Sequence, residues 1–283
     1  MIITDKSFTY LDFESGLSTV DIDMLFPGWK DSGETVCVFS PHDDDALIGA
    51  GYAISAALAN GAKVFIVIFC KGNFGYAHPS LKDKIVSIRK AETYTAYARV
   101  GVAEEDILRL DYMDNEVINK IGWMYDNKFM DILHSLRQKK ITRLLLPNHY
   151  REHTDHMAVN IIGAYGAPQA GDRIITDLGE PQEIGSIMEY SVWADFSPED
   201  ALVCKRNSNM RANKAIVAEK SVEDIIREGI KEYQTQLNII DSLVDSRDER
   251  ALDSHRFIET YLAFDPRPKM DYNTYVKTAR SIL

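Results

Sequence analysis

Residues 35–46, Thr-Val-Cys-Val-Phe-Ser-Pro-His-Asp-Asp-Asp-Ala, constrain the fold more than any other stretch. A β-prone apolar run, Val36 to Phe39, stops at Ser40-Pro41, and proline cannot continue a central ladder. His42, Asp43, Asp44 and Asp45 follow at once. The apolar spacing then turns helical through Leu47, Ile48, Ala50, Ile54 and Leu58 to an Asn60-Gly61 stop. A strand feeding a helix through such a turn presents these groups at its carboxyl end, where open α/β sheets hold ligands. Aspartate also caps helices, which accounts for one or two of the carboxylates. Three in succession repel one another unless a cation relieves them, and imidazole with carboxylate oxygen suits a divalent one.

The rest of the chain repeats the alternation. Val64–Cys70 is continuously apolar, the pattern of a strand buried on both faces, and Ser80–Arg99 is helical, closed by Gly101. A short strand over Asp106–Leu110 leads to the polar loop Asp111–Asn115, and Trp123–Gln138 is an amphipathic helix. Ile141–Leu146 is a further apolar strand, stopped by Pro147-Asn148. These units predict an α/β, Rossmann-like three-layer sandwich with a mainly parallel sheet and helices on both faces. Beyond Gly166 the spacing predicts loops, a strand at Ile187–Trp193, an irregular stretch at 195–213 and one long helix over Ser221–Val244. Asp265-Pro266-Arg267-Pro268 forbids regular helix where it stands. No repeat or low-complexity linker divides the chain, so a single domain is expected. Residues 1–34 are its N-terminal decoration with a short strand near 7–13, 35–260 its core and 261–283 its tail.

A second polar cluster, Tyr150-Arg151-Glu152-His153-Thr154-Asp155-His156, stands between the strand at 141–146 and a helix over Met157–Tyr165. Parallel strands share their carboxyl ends, so this cluster and His42–Asp45 are expected along one edge of the sheet. Singly, His153 or His156 reads as a surface histidine; the pairing of the two turns points to a site. His78, His134, His149 and His255 have no such company and read as structural.

Composition narrows the partners. The 283 residues carry a net charge of −11, which disfavours nucleic acid and anionic membrane surfaces. Cys37, Cys70 and Cys204 are scattered and lack metal-knuckle or disulfide spacing, as in a reducing compartment. The N-terminus lacks a basic region followed by an apolar one, and no apolar run reaches membrane-spanning length. A cytoplasmic location is the expectation, with no membrane span.

Pro41-His42-Asp43-Asp44-Asp45 resembles the first box of the PIG-L/LmbE-like zinc-dependent de-N-acetylases, and His153-Thr154-Asp155-His156 resembles their H-x-D-H box. Arg89-x-x-Glu92, the Asp114 loop and Tyr233-Gln234-Thr235-Gln236 follow in the family's order, so the resemblance covers roughly 36–260. It implies a metal site made by His42, Asp45 and His156, holding Zn²⁺ or another divalent transition metal. It implies Asp44 as general base, and His153, tuned by Asp155, as a protonated stabiliser of the oxyanion. Arg89 and Asp114 match positions that contact the sugar in relatives, and Tyr150 is assigned to the substrate with them. The implied substrate is a small N-acyl amino sugar or its conjugate, and relatives often assemble, which is compatible with a homo-oligomer.

Two positions depart from the family pattern. Asp43 stands where proline is common, and Ala46 where many members have Glu. The extra carboxylate either takes the place of Asp45 on the metal or raises the pKa of Asp44 by repulsion. Competing readings are a metal amidase on a non-sugar amide, a Mg²⁺-binding phospho-receiver, and a binding protein that has lost turnover. The receiver reading leaves His42 and His153–His156 without a role.

Overall fold

The computed structural model describes residues 3–30, 32–121, 127–199 and 209–283. Its strands are β1 (Phe8–Asp12), β2 (Leu17–Thr19), β3 (Thr35–Ser40), β4 (Lys63–Cys70), β5 (Ile107–Tyr112), β6 (Arg143–Pro147), β7 (Ser186–Tyr190), β8 (Lys214–Glu219) and β9 (Arg256–Phe264). They form one sheet in the order β2-β1-β8-β9-β7-β6-β3-β4-β5. The helices among the described residues are α1 (Asp45–Ala59), α2 (Ile85–Arg99), α3 (Asn127–Gln138), α4 (Thr154–Ile161), α5 (Lys220–Ile230), α6 (Leu237–Ser246) and α7 (Tyr272–Ile282).

Alternation along β3 explains its place in the middle. Val36 and Val38 join one apolar core with Leu47, Ala96 and Ile226 of α1, α2 and α5. Cys37 and Phe39 join a second core with Ile132 of α3 and Val159 of α4. Both faces of the strand are therefore buried, as its run of apolar residues requires. Leu144, Leu145 and Leu146 of β6 are fully buried beside it, and truncating one to Ala should cost about 2–5 kcal/mol. The chain packs tightly behind α4, where a Cβ at Gly163 would lie 2.1 Å from Leu146 Cδ2.

The expectation of a mainly parallel sheet needs correction. Strands β7, β6, β3, β4 and β5 pair in parallel, whereas β2, β1, β8 and β9 pair antiparallel with one another, and β9 antiparallel with β7. The first 34 residues are also more than decoration, because β1 pairs with β8 through five register positions. The end of the proposed core at 260 falls inside β9.

The long helix expected over Ser221–Val244 is two helices, with a short 3-10 turn at Gln234–Gln236 between them. At the break the buried Tyr233 hydroxyl donates to the Asp43 carbonyl at 2.6 Å. Residues 123–126 of the expected helix at 123–138, and part of the stretch at 195–213, lie outside the described residues.

Helix α1 is kinked at Ala50 (φ −128°, ψ 18°). Its displaced backbone groups find side-chain partners: Glu259 accepts from Tyr52 N–H at 2.8 Å, the Tyr261 hydroxyl accepts from Ala53 N–H at 3.1 Å, and Arg247 donates to the Ile48 carbonyl at 2.8 Å. Inserted side chains of this kind are an ordinary cause of helix kinks. Glu223 accepts from Arg247 and Tyr52, tying α5 and the segment after α6 to the same place.

From β3 the chain moves outward to β4 and β5, then returns to form β6 on the other side of β3. The strand order thus reverses between β3 and β6. A crevice opens at the carboxyl ends of strands at such a switch point. Both polar clusters begin there.

Candidate active site

Ser40 builds the first turn. Its hydroxyl donates to the His42 carbonyl at 2.5 Å and accepts from Ala46 N–H at 3.1 Å. Asp45 opens α1 and folds back, its Oδ2 accepting from His42 N–H at 2.8 Å and lying 3.0 Å from His42 Nδ1. At the end of β6, Asn160 donates to the Pro147 carbonyl at 2.8 Å and Tyr150 N–H donates to Asn148 at 3.0 Å. Arg151 takes a left-handed φ of 53°, and His153 caps α4 by accepting from Asp155 N–H at 3.1 Å.

The turns meet. The imidazole centroids of His42 and His156 are 5.5 Å apart, and His153 lies 5.0 Å from His42. His156 Nε2 is 3.1 Å from Asp45 Oδ2, the oxygen that also faces His42 Nδ1. One atom from each of His42, Asp45 and His156 therefore falls within 4.8 Å of the others. His156 Nε2 is buried and makes no hydrogen bond. Two imidazole nitrogens and a carboxylate oxygen around an orphaned nitrogen are a donor set that fits zinc and similar cations. Two other groups, His42 with His153 and Asp155, and His42 with Cys70 and Asp114, also come this close.

The second nitrogen of each imidazole is held by a carboxylate. His42 Nε2 faces Asp155 Oδ2 at 3.3 Å, and His156 Nδ1 faces Glu152 Oε2 at 2.6 Å. Carboxylates in this position fix the ring and its tautomer in metal sites. Burial opposes the charged form of both histidines, but the surrounding carboxylates prevail, lifting His42 well above its ordinary value and His156 to about 9. Burial likewise opposes the Asp45 charge, yet His156 and His42 hold its carboxyl well below the usual range.

Asp44 has a different environment. It precedes α1 without capping it, so the simplest alternative for this carboxylate does not apply. Its side chain is 15% exposed and accepts from Arg89 Nη2 at 3.3 Å. Burial raises its pKa; Arg89 opposes the rise, Asp45 adds to it, and Asp43 contributes least.

Asp43 is committed elsewhere. Its fully buried carboxylate accepts from Arg89 Nε and Thr93 Oγ1, both at 2.9 Å, and from Arg109. These contacts leave Asp43 no place on the metal instead of Asp45, whereas its charge does raise the pKa of Asp44, as the second expectation has it, behind the larger effects of burial and Asp45. Gly72, at φ +71°, lets the loop after β4 pass against this pair, since a Cβ there would lie 2.7 Å from Asp43 Oδ2.

Three residues assigned to substrate lie back from the opening or beside it. Arg89 is 3% exposed and spends its guanidinium on Asp43 and Asp44. Asp114 accepts from Gly72 and Phe74 N–H at 2.9 and 2.7 Å, tying two loops together. Tyr150 is half-buried, with the guanidinium carbons of Arg151 and Arg211 5.4 and 5.8 Å from its ring centroid. Asp155, expected to tune His153, has its Oδ2 nearer His42 and accepting from Asn115 N–H at 2.7 Å. Burial and the neighbouring His42 lower the pKa of His153, which works against the protonated form expected of it. Glu92 accepts from Thr235 N–H and Oγ1 at 2.8 and 2.6 Å, which joins two of the resembling motifs in space.

Sequence reasoning passed over Glu152 and underused Trp193. A glutamate four residues before a ligand-type histidine was the available signal, because side chains at that spacing meet near a helix start.

The GlcNAc-PI de-N-acetylase (PIG-L) family model matches residues 37–164, a span that contains both turns. That model describes the part of the chain from β3 to just past α4. Solved structures agree on the fold. The N,N'-diacetylchitobiose deacetylase of Pyrococcus horikoshii is 18% identical, with a TM-score of 0.62 over 82% of this chain and 84% of that one. A deacetylase of the teicoplanin biosynthesis pathway is 15% identical, with a TM-score of 0.56 over 82% and 99%. GalB of Pseudomonas putida, a 4-carboxy-2-hydroxymuconate hydratase, is 14% identical, with a TM-score of 0.57 over 84% and 99%. No curated protein sequence matches the chain. No helix among the described residues is long and apolar enough to cross a membrane.

Proposed function

We propose that this chain is a metal-dependent hydrolase that removes an acetyl group from an N-acetylated amino sugar or its conjugate. The observation that carries the reading is the convergence of His42, Asp45 and the orphaned His156 Nε2 at the switch point of the sheet. His42, Asp45 and His156 would hold the cation, zinc or another divalent transition metal. When bound, such a cation polarises an acyl carbonyl and acidifies a water.

The chain's own residues supply the rest. Asp44, partly exposed and anchored by Arg89, is placed to take the proton of the attacking water and return one to the leaving nitrogen. Its raised pKa suits both halves of that task. His153 accepts a backbone N–H at Nδ1, so the neutral ring carries its proton on Nε2. That proton is available to the carbonyl oxygen as it gains charge, a contact worth on the order of 3 kcal/mol. Asp155 holds His42 in position. Arg89 and Asp114 shape the pocket by bracing Asp44 and the loop at 72–74, which fits their burial better than direct contact with a sugar.

The fold neighbours described as an N,N'-diacetylchitobiose deacetylase and as a deacetylase of the teicoplanin biosynthesis pathway agree with this reading. A hydratase of the same fold keeps a second one open, in which the same water adds to a carbon–carbon double bond. The test is release of primary amine from a panel of N-acetylated sugars by metal-loaded protein. Amine release that disappears in Asp44→Asn supports the deacetylase. Stoichiometric metal binding with no amine from any member of the panel overturns it.

A further inference from the structure

The Glu152 side chain is fully buried and each of its oxygens has a separate task. Oε2 faces His156 Nδ1 at 2.6 Å. Oε1 gathers the backbone N–H groups of Val192, Trp193 and Ala194 at 2.8, 2.9 and 3.1 Å, with the Ser191 hydroxyl at 3.1 Å. Successive N–H groups curled round one oxygen form an anion nest, and a carboxylate is the group such a nest holds best. Asn148 pins the same loop from the end of β6, donating to the carbonyls of Ala194 and Asp195 at 3.2 Å. The loop so fixed lays the Trp193 indole on His156, with ring centroids 5.3 Å apart and planes inclined by 26°.

Trp193 remains 53% exposed although it stacks on a fully buried histidine. The histidine beneath it lies 5.5 and 6.1 Å, centroid to centroid, from the partly exposed rings of His42 and His153. A rigid, half-open aromatic ring at the rim of a polar site is suited to the apolar face of a ligand ring.

We propose that Glu152 is a positioning residue that serves cation and substrate together, holding His156 in its metal-binding tautomer and Trp193 as the platform for a sugar ring. The platform half rests on the deacetylase reading; the Glu152–His156 half does not. As an acceptor at Nδ1, the Glu152 carboxylate keeps the proton there and leaves the Nε2 lone pair for the cation.

Glu152→Gln separates the two tasks. Three backbone N–H groups converge on Oε1, so the amide oxygen stays with the loop and the NH₂ turns to His156. That NH₂ requires an acceptor at Nδ1 and drives the proton to Nε2. Zinc affinity, measured by chelator competition, should fall about 10- to 100-fold while Trp193 emission, obtained by difference from Trp193→Phe, keeps its wild-type maximum. Co²⁺ should quench that emission on binding to the wild type. For Trp193→Ala, zinc affinity should stay within about threefold, and KM for an N-acetylated sugar should rise by about tenfold or more, with a smaller loss in kcat.

Wild-type zinc affinity in folded Glu152→Gln, checked by circular dichroism, overturns the positioning role. An unchanged KM in Trp193→Ala overturns the platform. If the wild type releases amine from no sugar, the deacetylase reading and the platform fail together, and zinc affinity in Glu152→Gln still decides the role of Glu152.

Discussion

The Asp43 carboxylate accepts a hydrogen bond from Arg89 Nε at 2.9 Å, and that contact commits the first of the three successive aspartates away from the metal-ligand cluster. Arg109 closes on the same carboxylate from β5, and Arg89 reaches on to Asp44. The chain thus carries a buried ion-paired support beneath its proposed base.

Breaking that support should affect stability more than metal content. Asp43→Asn leaves two buried guanidiniums without their carboxylate, a change that costs about 3–5 kcal/mol for a buried pair. Denaturant unfolding should show a loss of this size, with zinc stoichiometry near the wild-type value. A neutral effect on stability, or loss of the metal from folded protein, would contradict the assignment of Asp43 to Arg89 and Arg109.

Asp44 makes no contact with His42 or His156 comparable to that of Asp45, so its loss should leave the cation in place. Asp44→Asn should bind zinc normally and lose about 10²- to 10⁴-fold in kcat for amide cleavage. Metal analysis beside steady-state kinetics checks this. Near-wild-type turnover would remove Asp44 from the base role.

Glu223 gives the stability curve a definite sign. Burial opposes its charge, but Arg247, Tyr52 and Arg227 outweigh that and depress its pKa in the folded protein. A depressed carboxyl adds stability that is present above its unfolded value of about 4.3 and is lost as pH falls through the folded value. Unfolding midpoints between pH 7 and pH 3 should therefore fall on acidification in the wild type. In Glu223→Gln the curve should start lower at neutral pH, because Arg247 loses its partner, and should fall less steeply below about pH 4.3. Parallel curves would mean that Glu223 does not titrate in this range.

The centre of the parallel half was legible because β3 and β4 are almost continuously apolar; Val64–Cys70 admits little else. In the antiparallel half, β9 was hidden by a polar residue set in an otherwise apolar core. Glu259 faces inward from β9 to serve the kink in α1, and this buried carboxylate breaks the apolar pattern that would have marked the strand. The break after α5 was hidden for the opposite reason, since Tyr233 continues the apolar stripe. Only its hydrogen bond to Asp43, across the fold, requires the chain to leave the helix there. At the site, residue types and their placement after strands identified His42, Asp45 and His156. The role of Glu152 could not be read the same way, because its partners at 191–194 are distant in sequence and met through backbone N–H groups.

The most direct test of the central claim is an anomalous difference map from crystals of the protein grown with zinc. One peak is predicted, about 2.0–2.2 Å from His42 Nδ1, Asp45 Oδ2 and His156 Nε2. A peak held instead by Cys70 and Asp114, or no peak near His156, would contradict it.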